Sequence, residues 1–357
     1  MSFLDRIKLI RQVKNGQYYD WIGSHDHAVS FFDEKYVRFA IVTETKIARK
    51  LLEHPACWAI NHLQSFLPAD SEAGLEHIHR FLRLSPEFLN GEEHRDRSEI
   101  TKTIIDRYYQ ACLGVSHDEL QRKLEEWTAR HANYYSASDL SKAILAIYFT
   151  QAGRIFHRNE QFQFRSSHIT EKFGFFSAAP RVSRLISFNT DINSHLDEAY
   201  LQEASEEETF LLLLLRIMGS GPLNSTLISS LNFLLERRKE GHEDSTLPSE
   251  LRGKLSFARF LPTRFSLRRL TEDIQIDGYE FHSNDVVYVY LADSGGCPIK
   301  MVQALPFGFG RHFCPGHKVS ELIITTCLNT ILGCGALKQC TPSAANVQNV
   351  GAFLSFE

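Results

Sequence analysis

The chain of 357 residues has no excess of positive charge: 39 Lys and Arg stand against 43 Asp and Glu, for a net charge of -4. The two signs are interspersed, so no basic stripe marks a nucleic-acid surface and no nucleic-acid partner is expected. Long apolar runs are missing as well. The most apolar stretch, LLLLLRIMGSG from Leu211, is too short to span a bilayer and is broken by Arg216. The opening MSFLDRIKLIRQVKNGQYYDW carries Asp5, Arg6, Lys8 and Arg11 around no long apolar core. It reads as neither signal peptide nor membrane anchor, so no membrane association is expected. The seven cysteines (Cys57, Cys112, Cys297, Cys314, Cys327, Cys334 and Cys340) form an odd, scattered set without a C-x-x-C pair. That pattern argues against a secreted disulfide framework and for a reducing compartment, which makes the cytoplasm the expected location. No internal repeat, low-complexity tract or domain linker interrupts the chain; the nearest candidate is the polar loop RKEGHEDSTLPSE from Arg238 to Glu250. A single domain over residues 1–357 is expected, and 43% hydrophobic residues suffice for a large core.

Helix-period patterns dominate the first two-thirds. TKIARKLLEH, EITKTIIDRYYQACL, HDELQRKLEEWTARHANYY and DLSKAILAIYFTQAGRIF all space apolar residues by three and four. YVRFAIVT, from Tyr36 to Thr43, alternates and is β-branched, which predicts a strand before the helix at Thr45. Strand signals return in TEDIQIDGYEFHSNDVVYVYLA, where Asp277-Gly278 predicts a tight hairpin turn. The expected fold class is mainly α with small β-sheets.

The chemistry concentrates in LPFGFGRHFCPGHK, Leu305 to Lys318. Gly308 and Gly310 precede Cys314 and Gly316 follows it, so the backbone can turn tightly and approach a flat macrocycle where a Cβ would obstruct. The next segment, VSELIITTCLNTIL, reads as a helix. A cysteine just before a helix N-terminus is favoured as thiolate. Thiolate ligation pushes electron density onto haem iron and favours O–O cleavage. Two other readings share these residues. One is a glycine-rich turn around a structural cysteine. The other is a zinc site from Cys297, His312, Cys314 and His317, against which stand the short His312–Cys314 spacing and the missing C-x-x-C knuckle.

The pattern F-G-x-G-x-x-x-C-x-G, here Phe307, Gly308, Gly310, Cys314 and Gly316, resembles the haem-binding loop of cytochromes P450, in a wording similar to the bacterial soluble branch. The resemblance extends in order along nearly the whole chain. YDWIGSHDHAVSFFDEKYVRFAIVTETKIARKLLEHP resembles the family's first sheet and helix B, FLNGEEHRDRSEI its helix C entry, and LRRLTEDIQIDGYEFHSNDVV its late strand segment. It implies a cytochrome P450-like fold, haem b with Cys314 as axial ligand to the iron, and propionates held by His94, Arg268 and His312. Arg97 is a further candidate, because the arginine expected after His94 is shifted and the matched position is Ser98. Anionic propionates suit Arg and His through charge-assisted hydrogen bonds.

Three departures accompany the resemblance. Where the family's central helix carries an acid-alcohol pair for proton delivery, LLRIMGSGPLNSTL sets Gly221 at the acid and Pro222 and Leu223 at the alcohols. Ser220, Asn224, Ser225 and Thr226 remain as substitutes, so the catalytic candidates are Ser220, Gly221, Pro222 and Thr226. Proline in the helix interior would preserve a bend there. In LSFARFLP, Arg259 fits the arginine of the family's E-x-x-R pair, but Ser256 stands at the glutamate. The interval from Asp285 to the cysteine loop is short, which removes much of the meander beside which redox partners dock.

The implied function is a haem-thiolate oxidoreductase acting on a small organic or carrier-bound molecule, by monooxygenation or oxidative rearrangement, in specialised biosynthesis. A ferredoxin and ferredoxin reductase would supply electrons. Use of peroxide, or a rearrangement or dehydration without O₂ activation, is the alternative raised by the missing acid-alcohol pair. A non-catalytic P450-like binding protein is the reading from a different class. The substrate pocket would lie near Met218, Gly219, Ser220 and Pro222 and the region Phe66 to Leu89, with Trp58, Phe66 and Leu67 more suited to core packing.

Overall fold

The computed structural model describes residues 28–33, 38–59, 79, 86, 89–131, 134–158, 160–164, 220–242, 246–252, 254, 256–257, 265–291 and 305–343. Its elements in chain order are β1 (Val29–Asp33), β2 (Arg38–Val42), α1 (Thr45–Glu53), β3 (Cys57–Ala59), α2 (Gly91–Leu113), α3 (His117–Arg130), β4 (Tyr135–Ser136), α4 (Ala137–His157), α5 (Ser220–Lys239), β5 (Phe265–Leu270), β6 (Ile274–Ile276), β7 (Tyr279–Phe281), β8 (Val286–Tyr290), α6 (His317–Gly333) and β9 (Cys340–Thr341).

The helices form where the apolar spacing predicts, and their ends follow from local chemistry. In α1, Ile47, Ala48, Leu51 and Leu52 are buried on one face while Lys46, Arg49 and Lys50 stay exposed. The Ser116 hydroxyl caps α3 by accepting from the Glu119 amide. Ser136 and Asp139 form a reciprocal capping box on α4, which ends at Arg158 in the left-handed conformation. Helix α2 starts earlier than its apolar period predicts. Its opening turns, GEEHRDRS, are polar and mostly exposed, and Glu92 and Glu93 favour the positive end of the helix dipole. His94 therefore sits on a helix.

Helices α2 to α6 pack around α4 and share one core, with Leu120, Leu124, Leu140, Ile144, Tyr148, Leu227, Leu231, Ile324 and Leu328 among its buried side chains. Two hydrogen bonds fix α4 within it. The Tyr148 hydroxyl donates to the Cys112 carbonyl of α2 at 3.1 Å, and the Ser141 hydroxyl donates to Asn224 Oδ1 of α5 at 2.7 Å. Buried polar groups need such partners. Among the described residues, no helix is long and apolar enough to cross a membrane.

A second core belongs to a five-stranded sheet of order β1-β2-β8-β5-β3. The β2–β8 pair is parallel; β1–β2, β5–β8 and β3–β5 are antiparallel. Helix α1 covers this sheet through Ile47, Ala48, Leu51 and Leu52. The Asp277-Gly278 turn forms as predicted: both residues have positive φ, 48° and 86°, and join β6 to β7. Lys46 and Lys50 pair with the Asp277 carboxylate, holding the hairpin against α1.

Candidate cofactor site

The site lies where the two cores meet, and a chain of backbone pairings assembles it. Strand β3 pairs with β5 so that Ala59 faces Arg268 and Cys57 faces Leu270. Directly opposed residues share a sheet face, so Cys57, Ala59 and Arg268 lie on one side, and the exposed Trp58 and Arg269 on the other. Asn90, the N-cap residue of α2, does not cap its helix with its side chain. Its carboxamide accepts from the Ala59 amide at 2.9 Å and donates to the Ala59 carbonyl at 3.1 Å. The start of α2 is thereby clamped to the strand position facing Arg268, and one turn on, His94 is buried.

The segment 305–316 enters from the sheet side. The Leu305 amide donates to the Leu291 carbonyl just after β8, and Leu305 and Phe309 join the sheet core. Phe307 turns the other way, into the helical core, with its ring 4.8 Å from that of Phe257. Gly308 and Gly310 have φ of 73° and 68°, which favours glycine. Gly310 also has no room for a side chain, since a Cβ would sit 2.5 Å from the Leu52 carbonyl oxygen. The 3-10 turn Gly310–His312 is thus seated on the end of α1.

This turn presents His312 to α2. The His94 and His312 rings meet with centroids 4.1 Å apart and planes tilted by 49°. The Ser98 hydroxyl lies 3.2 Å from His94 Nε2. Burial pushes the His94 imidazole below its ordinary range, and the charges of Arg311 and Arg268 push it further. His312 is pushed down to about 3 by burial, then by Arg268, His94 and Arg311. Burial also lowers Arg268, against a weak opposing pull from Cys57. The Cys57 thiol is pushed up to about 11 by burial, partly offset by Arg268 and Arg311. Among the described residues, no carboxylate acts on either histidine or on Arg268. The positive and neutral groups that act on one another here have no carboxylate partner among the described residues.

Cys314 follows two residues after His312, half-buried and outside any disulfide. Its amide donates to the Phe307 carbonyl at 2.9 Å, and its carbonyl lies 3.1 Å from His317 Nδ1. Gly316 is the N-cap of α6 and supplies no capping side chain, so the first amides of that helix lie just beyond the cysteine. His312 packs on His94 and His317 bonds to the backbone at Cys314; among the described residues no cluster of three or more metal-ligating side chains forms. Cys297, the fourth member of the zinc set, lies outside the described residues.

The remaining sequence candidates fall as follows. Arg97 is half-buried on α2, three residues after His94. Ser220, Gly221, Pro222 and Thr226 lie at the start of the described part of α5. Gly221 and Pro222 are half-buried; Thr226 is fully buried, and its Oγ1 has no hydrogen-bond partner among the described residues. Ser256, at the slot expected for a glutamate, is buried and donates to the Leu251 carbonyl, so it satisfies itself locally. Trp58, expected in the core, is 44% exposed, because the strand alternation turns it away from the face shared by Cys57 and Ala59. Arg259, Phe66, Leu67, Met218 and Gly219 lie outside the described residues. Sequence reasoning missed Arg311 and Cys57. Arg311 was visible inside the cysteine loop, whereas Cys57 reaches the site only through the β3–β5 register.

No protein-family model matches the chain, and no curated protein matches it. Solved structures do. Cytochrome P450 CYP109Q5 from Chondromyces apiculatus matches at a TM-score of 0.62 and 14% identity, over 90% of this chain and 88% of that one. The P450 monooxygenase TamI, bound to tirandamycin C, matches at 0.60 and 13%, over 89% of each chain. P450BioI, in complex with acyl carrier protein ligated to hexadec-9Z-enoic acid, matches at 0.55 and 16%, over 91% and 92%. The chain has the cytochrome P450 fold, mainly α with small β-sheets.

Proposed function

We propose that this chain is a haem-thiolate oxidoreductase in which Cys314 ligates the iron of haem b. The observation that carries the reading is the cluster of His94, Arg268 and His312 beside the Cys314 loop, which has no carboxylate partner among the described residues. The donor set fits the cofactor: guanidinium and imidazole groups for two propionates, glycines where a macrocycle needs close backbone, and a thiol before a helix N-terminus. A haem bound through a thiolate supplies an electron-rich iron suited to O–O chemistry. The protein's own part is positioning. Phe307 anchors the loop in the helical core, the Phe307 carbonyl and the His317 ring orient the backbone at Cys314, and Gly310 seats the loop on α1.

The substrate is a small organic molecule, free or carried on a partner protein, and the reaction is monooxygenation or oxidative rearrangement. Support for both forms comes from structural neighbours, one solved with a free small molecule and one with an acyl carrier protein. Electrons would come from a ferredoxin-type donor. Phe313 is 41% exposed next to Cys314, and Lys318 in the following turn of chain is exposed, which suits an acidic electron carrier. On α5, the Thr226 hydroxyl is the buried group best able to hold a proton-carrying water, since it has no partner of its own among the described residues.

Gly221 and Pro222, which have no side-chain acid or alcohol, favour a second reading: a reaction driven by peroxide, or a rearrangement without O₂. Turnover with a surrogate ferredoxin and reductase under labelled O₂ separates the two. Label in the product supports monooxygenation; product without label supports the second. No product with either oxidant, across free and carrier-bound substrates, would leave the non-catalytic binding protein.

A further inference from the structure

Between Cys314 and the first turn of α6 the chain reads Pro315-Gly316. Proline supplies no N–H and Gly316, the N-cap, no side chain, so the hold on Cys314 comes from further away. The Cys314 amide donates to the Phe307 carbonyl at 2.9 Å. Its carbonyl accepts from the His317 amide at 3.4 Å, and the His317 ring meets the same oxygen with Nδ1 at 3.1 Å. A carbonyl only accepts, so the ring proton sits on Nδ1. The half-buried imidazole is itself held, edge to face on Phe313 with centroids 4.7 Å apart and 6.0 Å from the ring of Phe307. We infer that His317 is a positioning residue for the Cys314 thiolate: its Nδ1–H dipole, fixed on the Cys314 carbonyl, sets how strongly the sulfur donates electrons to a bound iron. This inference rests on the haem reading proposed above.

Two features of the geometry support it. The ring bond is the shorter of the two on that carbonyl, so without it the Cys314 peptide hangs on one long amide bond. The sulfur also lies against the backbone that this bond steadies, since a Cβ on Gly316 would sit 3.8 Å from Sγ. Hydrogen bonds behind an axial ligand orient it and tune the metal. The positive end of an N–H dipole beside the ligand favours the reduced iron, which carries one more negative charge. Removing the donor therefore makes reduction harder.

The test measures the ferric–ferrous midpoint potential of the haem-loaded wild-type chain, His317→Phe and His317→Asn. Phenylalanine keeps a ring against Phe313 but has no donor; asparagine keeps a donor close to the Nδ1 position but has no ring. His317→Phe should shift the potential to more negative values, and His317→Asn should hold it near that of the wild type. Loss of haem from His317→Phe with retention by His317→Asn would support the same assignment. A wild-type potential in His317→Phe would overturn the inference and leave the haem reading intact. So would a shift or a loss of haem in His317→Asn at least as large as in His317→Phe, because the ring's packing and not its donor would then matter. A wild-type chain that retains no haem would bring down both.

Discussion

His94 of α2 and His312 of the turn before Cys314 lie ring against ring at 4.1 Å, although more than half the chain separates them in sequence. The contact works because each partner is held from behind. Asn90 clamps the start of α2 to β3, and Gly310 lets the turn settle on α1. Two imidazoles beside two arginines repel each other when protonated. The arrangement is comfortable only with neutral rings, or with an anion between the cations.

Burial, and then that repulsion, sets a pH dependence. The folded His94 holds its proton less tightly than its ordinary value of 6.5, so below 6.5 the unfolded chain takes up the proton first. The stability of the haem-free chain is therefore full above 6.5 and falls as the pH drops toward the folded value. His94→Asn should flatten the slope between neutral pH and roughly pH 5. Urea denaturation across that range checks it, and an unchanged slope would contradict the cluster's electrostatics.

Gly310→Ala places a Cβ 2.5 Å from the Leu52 carbonyl oxygen at a φ of 68°. The left-handed backbone alone costs roughly 1–2 kcal/mol, and the clash adds to it. We expect lower stability, and faster haem loss because the turn lifts from α1. Gly316→Ala is the contrast: among the described residues its Cβ would meet only Cys314 Sγ, at 3.8 Å, and its φ is negative. A ranking of melting temperatures checks both.

Asn90→Ala removes both hydrogen bonds to Ala59. The expected loss is about 1–3 kcal/mol, with the Ala59 amide and carbonyl left to find other partners. Because the same clamp places His94, haem retention should weaken further than stability does. Equal haem-transfer rates for variant and wild type would show that the clamp does not position the site.

Thr226→Val separates stability from activity. The Thr226 hydroxyl is buried without a partner among the described residues, so an isosteric valine should leave the fold as stable or stabilise it by roughly 1 kcal/mol. If the hydroxyl holds a proton-carrying water, the same variant should slow product formation or uncouple electron consumption from it. Unchanged turnover and coupling would remove Thr226 from the mechanism.

Much of this was legible in the sequence because it is local. The Cys314 loop, its glycines and the Asp277-Gly278 hairpin are short-range patterns whose backbone needs are written in the residues themselves. Order and spacing single out His94, Arg268 and His312 as cofactor candidates; the fold sets His94 against His312 and Arg268 opposite Ala59, and their role toward haem is what the proposal adds. Cys57 and the Asn90 clamp were not legible, since they depend on which residue of β3 faces which residue of β5. Nor was the early start of α2, whose first turns are polar and carry no apolar period. The exposure of Trp58 follows from strand alternation in a segment too short to display it.

The most direct test is the absorption spectrum of the purified chain, reduced with dithionite under CO, beside that of Cys314→Ala. The account predicts a Soret band at the long wavelength characteristic of thiolate ligation, lost in the variant. A wild-type chain without haem after supplementation during expression, or the same band in both proteins, would contradict it.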